Sequence, residues 1–94
     1  MVLENIRNNV VAVGTSTVLL STAHERNELV ITNTSSAAQI ITLSFGVEAA
    51  ALAGVVLQPY SVYYASDTQG FSVYNGDIFA ISSAVSGQIS IFER

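Results

Sequence analysis

The chain predicts an all-β fold, a single small antiparallel β-sandwich or jelly-roll-like barrel of about seven or eight strands. Three observations point there. Apolar and polar residues alternate with a period of two in one segment after another, the pattern of half-buried strands. Turn-forming residues recur at intervals of about 8–12 residues, as in sandwiches and small barrels. Helical periodicity is missing apart from one short alanine-rich stretch.

In chain order, residues 1–9 show no clear alternation and read as an N-terminal arm, followed by one β-sandwich domain over residues 10–94. Residues 9–13 and 16–20 are rich in Val and Leu and flank Gly14 and Thr15, which suggests a hairpin or a bent strand. Segment 28–33 puts Leu29 and Ile31 on one face, and segment 39–45 puts Ile41, Leu43 and Phe45 on one face with Thr42 and Ser44 opposite. Residues 33–36 form a turn between them. The alanine-rich stretch 47–54 is a connection, either one or two helical turns capped by Gly54 or a loop laid across the sheet. Residues 55–57 make a short strand, and Pro59 ends it and redirects the chain.

Alternation returns at 61–64 and 70–74. Asn75-Gly76 reads as a type I′ hairpin turn between 71–74 and 77–81, because both turn positions need positive φ. Ile78, Phe79, Ala80 and Ile81 are four successive apolar residues, as expected of a central strand covered on both faces. Residues 88–92 supply the closing strand.

Charge is scarce. The chain has seven acidic residues, three arginines, no lysine and a net charge of −4, with half its residues hydrophobic. Soluble monomers carry about 25% charged residues, and β proteins protect open sheet edges with charge, lysine above all. This composition implies surfaces that spend their working life against a partner. Three scattered arginines make no basic face, which argues against nucleic acid and against an anionic membrane. The absence of cysteine removes disulfides, thiolate metal sites and cysteine nucleophiles. The first residues do not read as a signal peptide and no run of about 18 apolar residues occurs, so the chain is expected to be made and used without secretion. Asn33-Thr34-Ser35 matches a glycosylation sequon, to which the missing export signal gives no weight.

No catalytic, cofactor or metal residues are assigned. His24, the only histidine, reads as an exposed loop residue, and no serine sits in a Gly-x-Ser-x-Gly elbow. Glu25, Glu28, Asp67 and Asp77 lack the spacing of a calcium loop. Tyr60, Tyr63, Tyr64 and Tyr74 are the candidate interface residues, since tyrosine buries area while its hydroxyl finds a partner. Tyr63 and Tyr64 are adjacent and face opposite ways on a strand, so one is core and the other contact.

Taken together, Arg26, Leu29, Ile31, Asn33 and Ser35, the glycine-ended strand 41–46, the segment 54–59 with Pro59, Tyr63 and Tyr64, the segment 74–82, and the closing strand ending in Glu93 resemble small tailed-bacteriophage virion proteins. The resemblance covers residues 26–93 and carries no catalytic signature. It departs at position 60, where Tyr stands in place of the glycine expected after the proline. It implies a head-decoration (cement) protein on the capsid surface, made in the host cytoplasm. Such a protein binds the major capsid protein or other virion proteins, bridges shell subunits and occurs as a monomer or a self-associated trimer. The alternative is a tail- or fibre-associated module that binds host-surface glycan through exposed tyrosines.

Overall fold

The computed structural model of the chain describes residues 7–36, 38–67 and 73–94. They contain β1 (Arg7–Val13), β2 (Val18–Ser21), β3 (Glu28–Asn33), β4 (Ile41–Phe45), β5 (Val55–Leu57), β6 (Val62–Ser66), β7 (Ile78–Ser82) and β8 (Gly87–Glu93). The strands form two four-stranded sheets, sheet A in the order β1-β8-β3-β6 and sheet B in the order β2-β7-β4-β5. Every pairing is antiparallel. With the chain passing back and forth between the sheets, this order is that of a jelly roll, two Greek keys folded into a sandwich. The small all-β sandwich that the alternation predicts is therefore the fold.

The inner faces follow from parity. Leu29 and Ile31 on β3 and Ile89 and Ile91 on β8 meet Ile41 and Leu43 on β4 and Ile78 and Ala80 on β7. Val13, Leu20, Leu57 and Val73 close the core around them. Each large aliphatic side chain buried there contributes about 1.5–3 kcal/mol relative to exposure.

β7 lies inside sheet B, between β2 and β4, which accounts for its run of four apolar residues. The same placement overturns the hairpin expected at Asn75-Gly76. Both edges of β7 are occupied, Val73 and Tyr74 form no strand, and neither Asn75 nor Gly76 takes the positive φ of a type I′ turn. Residues 70–72 of that predicted strand lie outside the described residues. Asn75 instead secures the 22–27 loop, its main-chain oxygen accepting from His24 N and its Oδ1 from Arg26 N.

One other expectation changes, and two that stood open are decided. β1 starts at Arg7, so Arg7, Asn8 and Asn9 are strand rather than arm, while residues 1–6 lie outside the described residues. β1 and β2 are not a hairpin, because they belong to different sheets and the chain turns a corner between them. The 46–54 segment is a loop across the outside of sheet B. Its Leu52 N–H donates to Thr42 Oγ1 and its Ala49 N–H to Thr17 Oγ1, and the outward-facing Thr42 and Ser44 are buried.

Buried polar locks secure the two ends of β3. Before it, all five N–H donors of the buried Arg26 are used: Glu93 Oε1 at 2.6 Å, the main-chain oxygens of Tyr74, Gly76 and Thr22, and Ser21 Oγ. At its last residue, Asn33 Nδ2 donates to the main-chain oxygens of Gln39 and Leu57, reaching from sheet A to sheet B, and its Oδ1 accepts from Ser35 N. A buried amide with this many bonds has no room for a glycan. Arg26, Asn33, Ser35 and Glu93 are thus the locks of the sandwich.

Candidate interaction surface

Strand parity fixes which side chains leave the outside of sheet A. On β1, β8, β3 and β6 the residues alternating with the core face outward, and the register aligns them into rows. One row runs Asn8, Phe92, Val30, Tyr64; the next runs Val10, Ser90, Thr32, Val62. Val10 is 60% exposed, Val62 54% and Tyr64 48%. Neither row contains a charge. The ion pair of Glu28 and Arg94, 2.6 Å apart, lies in the row beyond Tyr64. The 46–54 loop lies over Thr42 and Ser44 in the middle of sheet B and leaves Leu19 and Val56 on its edge strands exposed, whereas among the described residues no segment crosses this face of sheet A.

The tyrosines separate. Tyr63 points inward and packs its ring 5.4 Å from that of Phe45, so it belongs to the core margin and not to a contact surface. Tyr74 also stands on Phe45, edge to face at 5.4 Å, at the sandwich end closed by Arg26. Tyr64 is on the outer face, where its hydroxyl donates to Glu28 Oε2 at 2.9 Å. Tyr60 is 72% exposed in the turn between β5 and β6. The four do not make one strip. Tyr60 and Tyr64 share the β6 side of the molecule, with Val62 between them.

Tyr60 occupies an unusual conformation. Ser61 N donates to Gln58 O at 3.0 Å, closing a turn with Pro59 second and Tyr60 third, and Tyr60 has φ of +65°. This is a type II turn, whose third position calls for glycine or asparagine. A second such turn lies in the loop over sheet B, where Ala53 N donates to Ala50 O and Leu52 has φ of +61° with 69% exposure. Left-handed conformations cost L-residues roughly 1–2 kcal/mol. Two large apolar side chains are therefore held out in solvent by turns that would be more stable with glycine. In contrast, Gly54 has φ of +148° and a Cβ there would run into the main-chain oxygen of Leu43, so glycine is required.

Around Glu93, Ser21 Oγ donates to Oε1 at 2.8 Å and His24 Nε2 lies 3.3 Å from the same oxygen. His24 is thus a partly buried member of this cluster, not the exposed loop residue the sequence suggested. The order of groups does not suit a triad, in which histidine stands between serine and carboxylate. Here the carboxylate stands between them and is neutralised by Arg26. The crevice beside it, about 340 Å³ and lined by Arg7, Asn9, Thr22 and Glu93 among others, presents that occupied carboxylate. An apolar hollow of about 280 Å³ under Leu52 offers almost no polar group to orient a ligand. Asp77 Oδ1 accepts from Ala23 N, and no group of three metal-ligating side chains occurs among the described residues.

Comparison of the chain with protein-family models, with curated proteins and with solved structures finds no match.

Proposed function

We propose that the chain is a non-enzymatic structural protein of a virion, of the decoration or cement kind, that packs the outside of sheet A against shell subunits and bridges them. The observation that carries this reading is the uncharged outer face built from the rows of Val10 and Tyr64. Such a face docks without the desolvation penalty of buried ions. The exposed side chains include Tyr64, of the kind that fills interface centres. The loop laid over the middle of sheet B leaves sheet A as the more open of the two faces. Symmetry on a shell repeats a modest contact many times, so avidity compensates for a small interface. The partner is then the major capsid protein or a neighbouring virion protein, the place of action is the capsid surface, and the reading invokes neither cofactor nor nucleic acid.

Jelly rolls also serve as lectins, so a glycan-binding module on tail or fibre is the second reading. It rests on Tyr60 and Tyr64, since Tyr63 faces the core and Tyr74 leans on Phe45. Mass spectrometry of intact purified particles tests the first reading, which expects the chain at fixed stoichiometry. A glycan array with the isolated chain tests the second: saturable binding, with the chain missing from shells, favours it over the first.

A further inference from the structure

Hydrogen-bond parity identifies which main-chain groups of the edge strand β6 are open. Asn33 N donates to Ser61 O, and Asp67 N donates to Asn27 O. These bonds fix residues 61, 63, 65 and 67 as the ones that bond β3. The N–H and C=O of Val62 and Tyr64 therefore point out of the sheet along its edge, and no described residue bonds them.

The three other edges are short or interrupted. On β1, the opposite edge of sheet A, Asn9 Oδ1 accepts from the N–H of Val10 at 3.0 Å. β2 has four residues and a register break between Leu19 and Ser21. β5 has three residues. Short edges, bulges and local caps are the devices that stop strand addition. β6 has five residues and shows no bulge, no charged residue and no cap on Val62 or Tyr64.

We propose that β6 is a self-association edge: a second copy of this chain adds its own β6 antiparallel to it about a two-fold axis, with Tyr63 opposite the partner copy's Tyr63. This register sets Val62 of each copy opposite Tyr64 of the other. Each of these pairs exchanges both of its outward main-chain bonds, and the two A sheets join into one. Val62 and Tyr64 both project from the outer face, so each pair also brings an aromatic ring beside a β-branched side chain, a favourable cross-strand combination. Self-pairing is argued because a two-fold contact opposes a segment to itself. An edge without charge tolerates that even in a chain of net charge −4, and the Val62–Tyr64 pairing is its own complement. The proposal does not depend on the virion reading and goes beyond it.

Sedimentation velocity of the full chain between about 10 µM and 1 mM tests it, in the range suited to a small interface. The expected result is a mass rising from monomer towards dimer. Tyr64→Pro, which deletes the outward-facing N–H together with the ring, should weaken association at least tenfold. Tyr64→Phe, which keeps the N–H and loses the hydroxyl, should leave it unchanged. A chain that stays monomeric at 1 mM, or an oligomer that survives Tyr64→Pro, overturns the proposal. Should Tyr64→Pro fail to fold, amide exchange of the unmodified chain decides. The Val62 and Tyr64 amides gain protection with concentration if the pairing forms, and exchange equally fast at all concentrations if it does not.

Discussion

The main-chain N–H of Tyr60 donates to the main-chain oxygen of Asn33 at 2.7 Å, seating an exposed, left-handed tyrosine on a fully buried asparagine. Asn33 also grips Leu57 O and Gln39 O, so the turn that presents Tyr60 is anchored to the joint between the sheets. The strain at Tyr60 is maintained by this anchor rather than relieved by it.

Tyr60→Gly should therefore raise stability by about 1 kcal/mol, since glycine adopts the third position of a type II turn without steric cost. The urea midpoint should move up with an unchanged slope. Leu52→Gly should act in the same direction, and the two effects should add, as expected of separate sites. A fall in midpoint for both variants would mean that these side chains stabilise the isolated fold.

Arg26→Met should destabilise by about 3–5 kcal/mol, because it leaves Glu93 buried without its cation. For a domain of this size the thermal midpoint should fall by well over 10 °C, taking about 4–8 °C per kcal/mol. Arg26→Lys should recover little of this, since an ammonium cannot reproduce the fork that reaches Glu93, Ser21 and three main-chain oxygens. Calorimetry of both variants checks the claim.

Glu28 sets an acid limb. Its carboxyl is held below the ordinary value of 4.5 by the hydrogen bond from Arg94 first and the Tyr64 hydroxyl second. A carboxyl lowered on folding contributes stability that is complete above its unfolded value and is lost as pH falls through the folded one. Glu28→Gln should therefore be less stable than the native chain near neutrality. The gap should close as pH falls below 4.5. Urea midpoints at about pH 6 and about pH 3 measure it.

The strands were legible where parity was local. Leu29 and Ile31, Ile41 and Leu43, and Tyr63 against Tyr64 follow from a period of two, and the central place of β7 follows from its apolar run. The pairing order was not legible, because jelly-roll partners are distant in sequence: β1 pairs with β8, and Arg26 meets Glu93 across 67 residues. The Asn75-Gly76 signal failed because β2 and β4 take both edges of β7. For the surface, low charge pointed to a neutral face, but only the register shows that its residues line up on sheet A. Tyr60 stood out in the sequence as a tyrosine where glycine was expected. Its positive φ shows that the backbone keeps the conformation suited to glycine.

Val10→Glu and Thr32→Glu each place a charge on the outer face of sheet A, the first at the β1 edge and the second beside Val62 of β6. Surface changes of this kind should alter stability by no more than about 0.5 kcal/mol. The most direct measurement is the amount of chain recovered with intact purified particles, by quantitative mass spectrometry, for the native protein and these two variants. The reading predicts native chain at constant stoichiometry and strong depletion of both folded variants. Native chain absent from the particles, or variants incorporated as well as the native chain, would contradict it.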